Sequence, residues 1–339
     1  LFEGNRELQQ HQILDPRTVL LKEKSSDFSK KGNNNKNSSS SGVLCGRIEE
    51  GEGVDYLYEV PTSPEGIIFL AHGCFHQMED WWWPNGGCCS NCIGLPEERA
   101  IVKLLLQHYG LIVIAASSMD ACWSEVDGSR VSNILLDVRS KYGNLPLYAF
   151  GASSGGHFVA SILPEATHTK LGISLMGFIS TILPTFPSES SSAPVTGVYI
   201  TMDRDKGSQL RADEIISSSK NNSSKHIRLA PLSISDSLFF YNRIGDEVSK
   251  ETSQKLVGAL YDANMLDSSS GLLLEDPRSS RWRTVLRSIL PEESDSFIAD
   301  KSSISEVLNV AWAMHEMSRD GVESAFNFIL QQQQQRELQ

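Results

Sequence analysis

Three unbroken runs of apolar residues stand out in the hydrophobic pattern, at 67–71, 111–116 and 147–150. Between them, at 96–110 and 131–143, apolar side chains recur at helical spacing, and each stretch closes on a glycine. Continuous apolar runs are typical of strands buried on both faces, and the intervening spacing is typical of amphipathic helices. The pattern therefore predicts an α/β fold, in which a mostly parallel, doubly wound sheet is flanked by helices.

The same pattern extends the sheet along the chain. Further strands are predicted within 43–60 and at 172–177, 197–201 and 225–230. Residues 233–310 mix apolar patches with helical spacing, and we expect them to form a helical insertion over the sheet. The last helix is predicted to run from residue 322 to residue 330.

Composition divides the chain into three parts. Residues 1–42 contain a long stretch of Ser, Asn, Lys and Gly, which buries too little apolar surface to order itself. This N-terminal segment and linker is therefore expected to be largely disordered. Residues 43–330 carry the α/β pattern and form the expected folded domain, and the glutamine-rich tail at 331–339 is expected to be disordered.

The charge balance and the hydropathy narrow the classes of partner. The formal net charge is −12 at pH 7, and an acidic surface disfavours a nucleic-acid backbone as the main partner. No apolar run reaches the length that spans a bilayer. We therefore expect neither a nucleic-acid partner nor a transmembrane segment.

Cysteines and glycosylation signals favour the secretory route. The six cysteines are an even number, as a set of disulfides requires. Sequons for N-glycosylation begin at Asn37, Asn221 and Asn222. We therefore expect a disulfide-bonded glycoprotein that is secreted or lies in an endomembrane lumen, with the cytoplasm as the alternative.

The segment at 147–157 carries the main chemical signal. Its apolar run meets Gly151-Ala-Ser-Ser-Gly155, and an amphipathic segment follows, which predicts a strand, a sharp turn and a helix with Ser153 at the apex. A Cβ at Gly151 or Gly155 is expected to collide with the adjoining strand or helix. This spacing is that of a G-x-S-x-G nucleophile elbow. The alternative is a glycine-serine turn without chemistry.

Over residues 54–330 the chain resembles the α/β-hydrolase superfamily. The likeness is carried by 67–73 with its terminal His-Gly, by 111–116, 151–155 and 198–205, and by His315. The resemblance implies that Ser153 attacks a carbonyl carbon and that His315 takes its proton as general base and later returns it as general acid. It also implies that Asp205 orients the His315 ring.

The family order of nucleophile, acid and base leaves some assignments open. The base must follow the acid, which leaves His226 and His315, and His315 lies just ahead of the last predicted helix, where the family has its base. Asp205 follows a predicted strand at the expected spacing and is the preferred acid. Asp203 and Asp246 remain alternatives.

The resemblance also implies an oxyanion hole built from two backbone N–H groups. One belongs to Ser154, the residue after the nucleophile. The other belongs to the loop after the His-Gly strand, to Cys74 or alternatively Phe75. His72 and His157 lie close to this site in sequence, and we expect each to be structural.

The loop beside the predicted site is rich in tryptophan and cysteine. Three consecutive tryptophans at 81–83 either line a pocket or pack the loop. Cys89-x-x-Cys92 invites a zinc interpretation, but a second ligand pair at metal spacing is missing. Disulfides that tie the loop to Cys74 or Cys122 are the preferred interpretation.

Together these features predict a serine hydrolase that cleaves an ester, thioester or amide of a small-molecule acyl substrate through an acyl-enzyme. The resemblance implies no metal and no organic cofactor. The alternative is a catalytically inactive member of the superfamily that binds a small ligand or a protein partner. An acyltransferase would use the same residues. The substrate and the oligomeric state stay open.

Overall fold

The structure, a computed structural model, describes residues 42–48, 55–84, 88–187, 195–219, 223–245, 247–290 and 301–338. The three sequon asparagines, the alternative acid Asp246 and residues 1–41 lie outside the described residues. Among the described helices, none combines the length and the apolar character that crossing a membrane requires.

Eight strands form a single sheet in the order β1-β2-β4-β3-β5-β6-β7-β8. Their bounds are Leu44–Gly46 (β1), Tyr56–Glu59 (β2), Gly66–Ala71 (β3), Leu111–Ala115 (β4), Leu147–Ala152 (β5), Gly177–Thr181 (β6), Thr196–Met202 (β7) and Ser224–Leu229 (β8). The strands β1 and β2 pair antiparallel, and all pairs from β4 to β8 are parallel.

The helices cover both faces of this sheet. Their bounds are Pro96–Lys103 (α1), Glu125–Tyr142 (α2), Ser154–His157 (α3), Leu163–Leu171 (α4), Lys206–Ser218 (α5), Phe239–Ile244 (α6), Lys250–Asp262 (α7), Trp282–Leu286 (α8), Ser303–Trp312 (α9) and Val322–Glu337 (α10). Single π-helical turns at Leu104–His108 and Phe158–Ile162 extend α1 and join α3 to α4.

Burial explains why the central strands are continuous apolar runs in the sequence. All six residues of β3 and all five of β4 are buried, because side chains on both faces contact covering helices. One apolar cluster includes Ile68 and Val113 and packs against α10, and a second, on the other face, includes Phe69 and Ile114 and packs against α2. The predicted α/β fold, with a mostly parallel sheet flanked by helices on both faces, is therefore confirmed.

The predicted helical insertion is also present. Helices α6 to α9 pack around an apolar cluster of their own, which includes Phe240, Leu256, Trp282 and Leu308. This cluster is separate from the two that cover the sheet. The insertion therefore has its own small core, and its last helix leads directly into the segment that carries His315.

The strand predicted at 172–177 is wrong. Gly172 is in the left-handed conformation (φ 63°), and its N–H donates to the carbonyl of His168 at 2.9 Å, so it ends α4. Glycine is the common residue at this position because it lacks the Cβ that the left-handed region disfavours. The strand starts only at Gly177 and continues to Thr181.

The last helix continues beyond residue 330, where the apolar pattern ends, through the glutamine run to Glu337. Glutamine is a good helix former, and several polar contacts hold this extension. The Tyr148 hydroxyl donates to Gln333 at 2.8 Å, and Arg336 donates to the Thr196 hydroxyl at 2.7 Å. These contacts join the glutamine-rich end of the helix to the sheet.

Candidate active site

The turn around Ser153 has the geometry of a nucleophile elbow. β5 ends at Ala152, Ser153 has φ 52° and ψ −114°, and α3 begins at Ser154. A Cβ added to Gly151 would lie 2.1 Å from the Gly155 carbonyl oxygen, and one added to Gly155 would lie 2.3 Å from the Ala71 carbonyl oxygen. Both contacts are with backbone atoms, which cannot move aside, so the turn requires glycine at both positions.

Asp205 lies at the start of α5, a few residues beyond the end of β7. Its carboxylate caps the helix by accepting from the Ser208 N–H at 3.1 Å and from the Ser208 hydroxyl at 2.8 Å. A second contact links it to the far end of the chain, because Nδ1 of His315 lies 3.0 Å from Oδ2 of Asp205. The preferred acid and the preferred base are thus in direct contact.

The end of α9 explains why these two residues meet. The helix stops after Trp312 because Ala313 is left-handed (φ 58°), and His315 is left-handed as well (φ 48°). The N–H of Arg204 donates to the Ala313 carbonyl at 3.0 Å, which joins this turn to the loop after β7. Arg278 donates to the His315 carbonyl at 3.1 Å and holds the turn from the other side.

The electrostatics of the pair keep Asp205 ionised. Burial alone would raise the pKa of its carboxyl, but the hydrogen bonds from Ser208 and His315 outweigh burial and hold the pKa below its usual value. An ionised carboxylate accepts the Nδ1–H of His315. The lone pair of the neutral ring then lies on Nε2, the nitrogen that can accept a proton.

Ser153 and His315 line the same cavity, which has a volume of about 390 Å³. Within the described residues, no hydrogen bond joins the Ser153 hydroxyl to the His315 ring. Contacts of this kind are often long without substrate and shorten in the complex with it. The ring is 53% exposed at the cavity, so water can reach it.

The alternative base and acid lie elsewhere. His226 is on β8, where its Nδ1 lies 2.9 Å from Asp213 and its Nε2 lies 2.7 Å from the Thr201 hydroxyl. Among the described contacts, the Asp203 carboxylate makes none with a histidine. The structure therefore brings His315 together with Asp205 and brings neither alternative to the Ser153 cavity.

The two other histidines near the elbow in sequence make local contacts. His72 is 3% exposed, and burial lowers its pKa to about 4. Its Nε2 accepts from the Ser118 N–H at 3.0 Å, and its Nδ1 lies 2.6 Å from the Gly73 carbonyl oxygen. The ring of His157 contacts the hydroxyls of Ser161 and Thr185.

The predicted oxyanion-hole loop also lies at the cavity. Cys74 lines it, whereas the N–H of Phe75 already donates to the Ala121 carbonyl at 2.7 Å. Of the two residues considered from the sequence, Cys74 is the one whose N–H has no acceptor among the described residues. Ser154 is the first residue of α3, where helical N–H groups have no partner inside the helix.

All six cysteines are paired. Cys74 bonds to Cys122 and ties the loop after β3 to the segment after β4, whereas the predicted disulfides from the Cys88–Cys92 stretch to Cys74 or Cys122 are not formed. Cys45 bonds to Cys88, and Cys89 bonds to Cys92. Both sulfurs of the Cys-x-x-Cys motif are therefore held in a disulfide.

The tryptophans pack the loop, and all three also line a second cavity, together with Arg99 and Arg243. Trp81 and Trp82 are 1% and 4% exposed, and Trp81 contacts Phe150 of β5 edge to face. Trp83 is 45% exposed and carries the Arg99 guanidinium 3.6 Å above its ring. None of the three lines the cavity of Ser153.

Sequence analysis missed an acidic part of the cavity. Glu98 of α1, Glu306 of α9 and Glu316 line it, with Arg278 and Asn309. Glu98 and Glu306 are only 5% and 8% exposed. In sequence, Glu98 reads as an ordinary acidic residue in the first turn of a helix, and nothing in the hydrophobic pattern indicates that α9 covers it.

Comparison with known proteins finds similarity at the level of solved structures alone. No protein-family model and no curated protein sequence matches the chain. Among solved structures, the chain is similar to dienelactone hydrolase from Anabaena variabilis (14% identity, 66% of this chain, 97% of that chain, TM-score 0.40). A Xanthomonas campestris α/β serine hydrolase without lid is 13% identical over 66% of this chain and 95% of that chain (TM-score 0.35). An arylesterase is 8% identical over 56% and 75% (TM-score 0.33).

Proposed function

We propose that this protein is a serine hydrolase that cleaves an ester, thioester or amide through an acyl-enzyme on Ser153. One observation carries the proposal: the hydrogen bond between His315 and Asp205 at the rim of the cavity into which the strained Ser153 turn opens. Residues from three distant parts of the sequence converge there in the chain order that acyl transfer on this fold requires.

The proposed reaction follows from the positions of the protons. His315 Nε2 accepts the hydroxyl proton as Ser153 Oγ bonds to the acyl carbon, and it returns that proton to the leaving group as the tetrahedral intermediate collapses. Asp205 holds the ring through Nδ1 and stabilises the imidazolium. In the second half of the reaction the exposed His315 ring deprotonates a water molecule, which attacks the acyl-enzyme. The ring then returns the proton to Ser153 as the acid product leaves.

The developing oxyanion is proposed to accept hydrogen bonds from the N–H groups of Cys74 and Ser154. Two features favour this pair. The Cys74–Cys122 disulfide fixes the first donor against the segment after β4, and the start of α3 orients the second. Removing one such donor typically slows acyl transfer about 10²–10³-fold.

A fluorophosphonate probe, which bonds covalently to activated serines, tests the proposal directly. We expect the wild type to be labelled, Ser153→Ala to lose all labelling, and His315→Ala to lose most of it. Ser161→Ala is a matched control, since its hydroxyl bonds to the His157 carbonyl in the adjoining helical turn and lies outside the cavity. If the folded wild type is not labelled, the inactive binding protein is the better interpretation.

The compartment is part of the proposal. Three disulfides within the described residues support an oxidising compartment, either outside the cell or in an endomembrane lumen. Counting free thiols in the denatured, unreduced protein tests this. We expect none, and six free thiols in freshly isolated protein would favour the cytoplasm instead.

A further inference from the structure

The proposed acid and base come from two segments that are far apart in the chain. Asp205 and His315 are 110 residues apart, and the His315 side chain is 53% exposed. An exposed ring makes few packing contacts of its own, so the turn that carries it must fix its direction. Ala313 and His315 in this turn are both left-handed (φ 58° and 48°). Residues other than glycine rarely adopt this conformation, and it persists only where the surrounding structure enforces it.

A side-chain stack joins the two segments beside this turn. The guanidinium carbon of Arg204 lies 3.6 Å from the centre of the Trp312 ring, which is about the separation of carbon atoms in van der Waals contact. Arg204 directly precedes Asp205, and Trp312 is the last residue of α9, directly before Ala313. The stack therefore connects the neighbour of the acid to the start of the left-handed turn.

Two further contacts join the same segments. Met202, Val310 and Ala313 form a small apolar cluster, and the Arg204 N–H donates to the Ala313 carbonyl at 3.0 Å. The second of these is a bond between backbone atoms, which a substitution of the Arg204 side chain leaves in place. The contribution of the stack can therefore be measured separately from that of the backbone bond.

The two stacked groups are held without a hydrogen bond between them. Nε of Arg204 and Nε1 of Trp312 are buried and have no acceptor within the described residues. Guanidinium and indole nitrogens are both donors, so the attraction is that of a cation for an aromatic face. Neither residue belongs to the described lining of the Ser153 cavity. Their effect on a reaction in that cavity must therefore pass through the residues beside them.

We propose that Arg204 and Trp312 are positioning residues, whose stack holds the left-handed turn against the loop after β7 so that the His315 ring meets Asp205. This inference rests on the proposed function, because it concerns the acid and the base of that reaction. Without the stack, the turn relaxes towards backbone conformations that Ala313 and His315 prefer, and the exposed ring loses its fixed direction. Nδ1 then spends less time at Asp205, and fewer molecules carry the lone pair on Nε2.

Steady-state hydrolysis of p-nitrophenyl acetate tests the effect on the reaction. We expect Arg204→Met and Trp312→Leu to lower kcat about tenfold or more with little change in KM, because neither side chain touches the substrate. Trp312→Phe keeps an aromatic face and should retain most activity. Trp83→Leu is the matched control, since Arg99 lies 3.6 Å above that ring and Trp83 is not among the residues that line the Ser153 cavity. Equal kcat values in Trp312→Leu and Trp83→Leu would overturn the inference.

NMR of the ring nitrogens tests the positioning without catalysis. Long-range ¹H–¹⁵N correlation spectra of the full chain at pH 8 show which ring nitrogen of each histidine carries the proton, and His315→Gln assigns the signals of His315. We expect the proton on Nδ1 in the wild type, because Asp205 accepts it, and a mixture of both forms in Arg204→Met. His226, whose Nδ1 lies 2.9 Å from Asp213, is an internal reference that should not change.

The two measurements distinguish failure of this inference from failure of the hydrolase. An unchanged His315 spectrum in Arg204→Met rejects the positioning role and leaves the hydrolase standing. A wild type that fluorophosphonate does not label, but whose His315 spectrum changes in Arg204→Met, rejects the hydrolase and leaves the positioning role standing. Arg204→Lys keeps the charge and loses the planar group, so it replaces Arg204→Met in both measurements if that variant does not fold.

Discussion

Gly151 and Gly155 are the residues on which the turn around Ser153 depends most directly. Gly151→Ala would place a methyl group 2.1 Å from the Gly155 carbonyl oxygen, so the strand and the helix must separate. We expect this change to lower the free energy of unfolding by about 3 kcal/mol or more, as overpacking against backbone does, and to abolish probe labelling. Urea denaturation measures the first effect.

Gly258 provides the control. It lies within α7, and a Cβ added there would meet nothing within 4 Å. Glycine in a helix is about 1 kcal/mol less favourable than alanine, so Gly258→Ala should leave stability unchanged or raise it. If Gly151→Ala is as well tolerated as Gly258→Ala, the turn is not the constrained elbow described above.

Asp205 and Asp203 form a second matched pair of residues. Asp205→Asn keeps the shape of the side chain but removes the charge that fixes the His315 ring, so we expect kcat to fall by about 10³–10⁴-fold with little change in KM. Asp203→Asn should retain most activity, because its carboxylate makes no contact with His315 among the described residues. The acid is misassigned if Asp203→Asn shows the larger loss.

At the scale of elements, the packing of α1 against α9 controls how stability depends on pH. It buries Glu98 and Glu306, and their folded-state pKa values are raised above the unfolded values. The folded state therefore binds more protons than the unfolded state between about pH 4.5 and pH 7, and stability falls as the pH rises through this window.

Glu306→Gln tests this directly, because a neutral amide has no charge to bury. At pH 8 we expect the free energy of unfolding of the variant to be higher than that of the wild type, and at pH 5 the difference should shrink. The exposed Glu251→Gln, which lies beside Lys255, should show no gain at pH 8. Urea denaturation at both pH values measures these free energies of unfolding. A wild type that is more stable at pH 8 than at pH 5 would contradict the expected pH dependence.

Local pattern predicted most of the elements, and long-range contact decided the rest. β3 and β4 could be placed because both faces of each strand are apolar, and α2 because its spacing ends at Gly143, which serves as its C-cap. β6 was misplaced because the apolar residues after Gly172 read as a strand, although that glycine ends the preceding helix. The last helix was predicted to end too early, because its glutamine run contacts the sheet through polar atoms and so leaves no apolar pattern.

The candidate site shows the same division. The Ser153 turn could be predicted because its requirement for glycine is local, and His315 because chain order leaves few candidates. The acidic part of the cavity could not be predicted, since α1 and α9 are far apart in sequence and the first-turn position of Glu98 is usually exposed. Which aspartate meets His315 likewise depends on the turn after α9, which no periodicity reveals.

At the scale of the whole molecule, one ionic network around the buried Glu97 joins the sheet domain, the insertion and the segment that carries His315. Arg243 of α6 donates from Nε and Nη2 to the two carboxylate oxygens of Glu97, each at 2.9 Å. The same guanidinium donates to Asp320 at 2.8 Å, and Glu97 also accepts from the Arg319 N–H at 2.8 Å. Glu97 is fully buried.

Arg243→Met should therefore act on both stability and catalysis. It leaves the Glu97 charge buried without its main partner, which typically costs about 3–5 kcal/mol, and it releases the segment between His315 and α10 from the insertion, so kcat should fall as well.

Combining Arg243→Met with Glu97→Gln removes the unpaired buried charge, and the double variant should be more stable than Arg243→Met alone. Denaturation of the four proteins in this cycle measures the coupling. If the effects of the two substitutions on the free energy of unfolding are additive, Arg243 and Glu97 do not couple the insertion to the sheet. The segment that carries His315 is then held by the Asp205 contact and the Arg278 hydrogen bond instead.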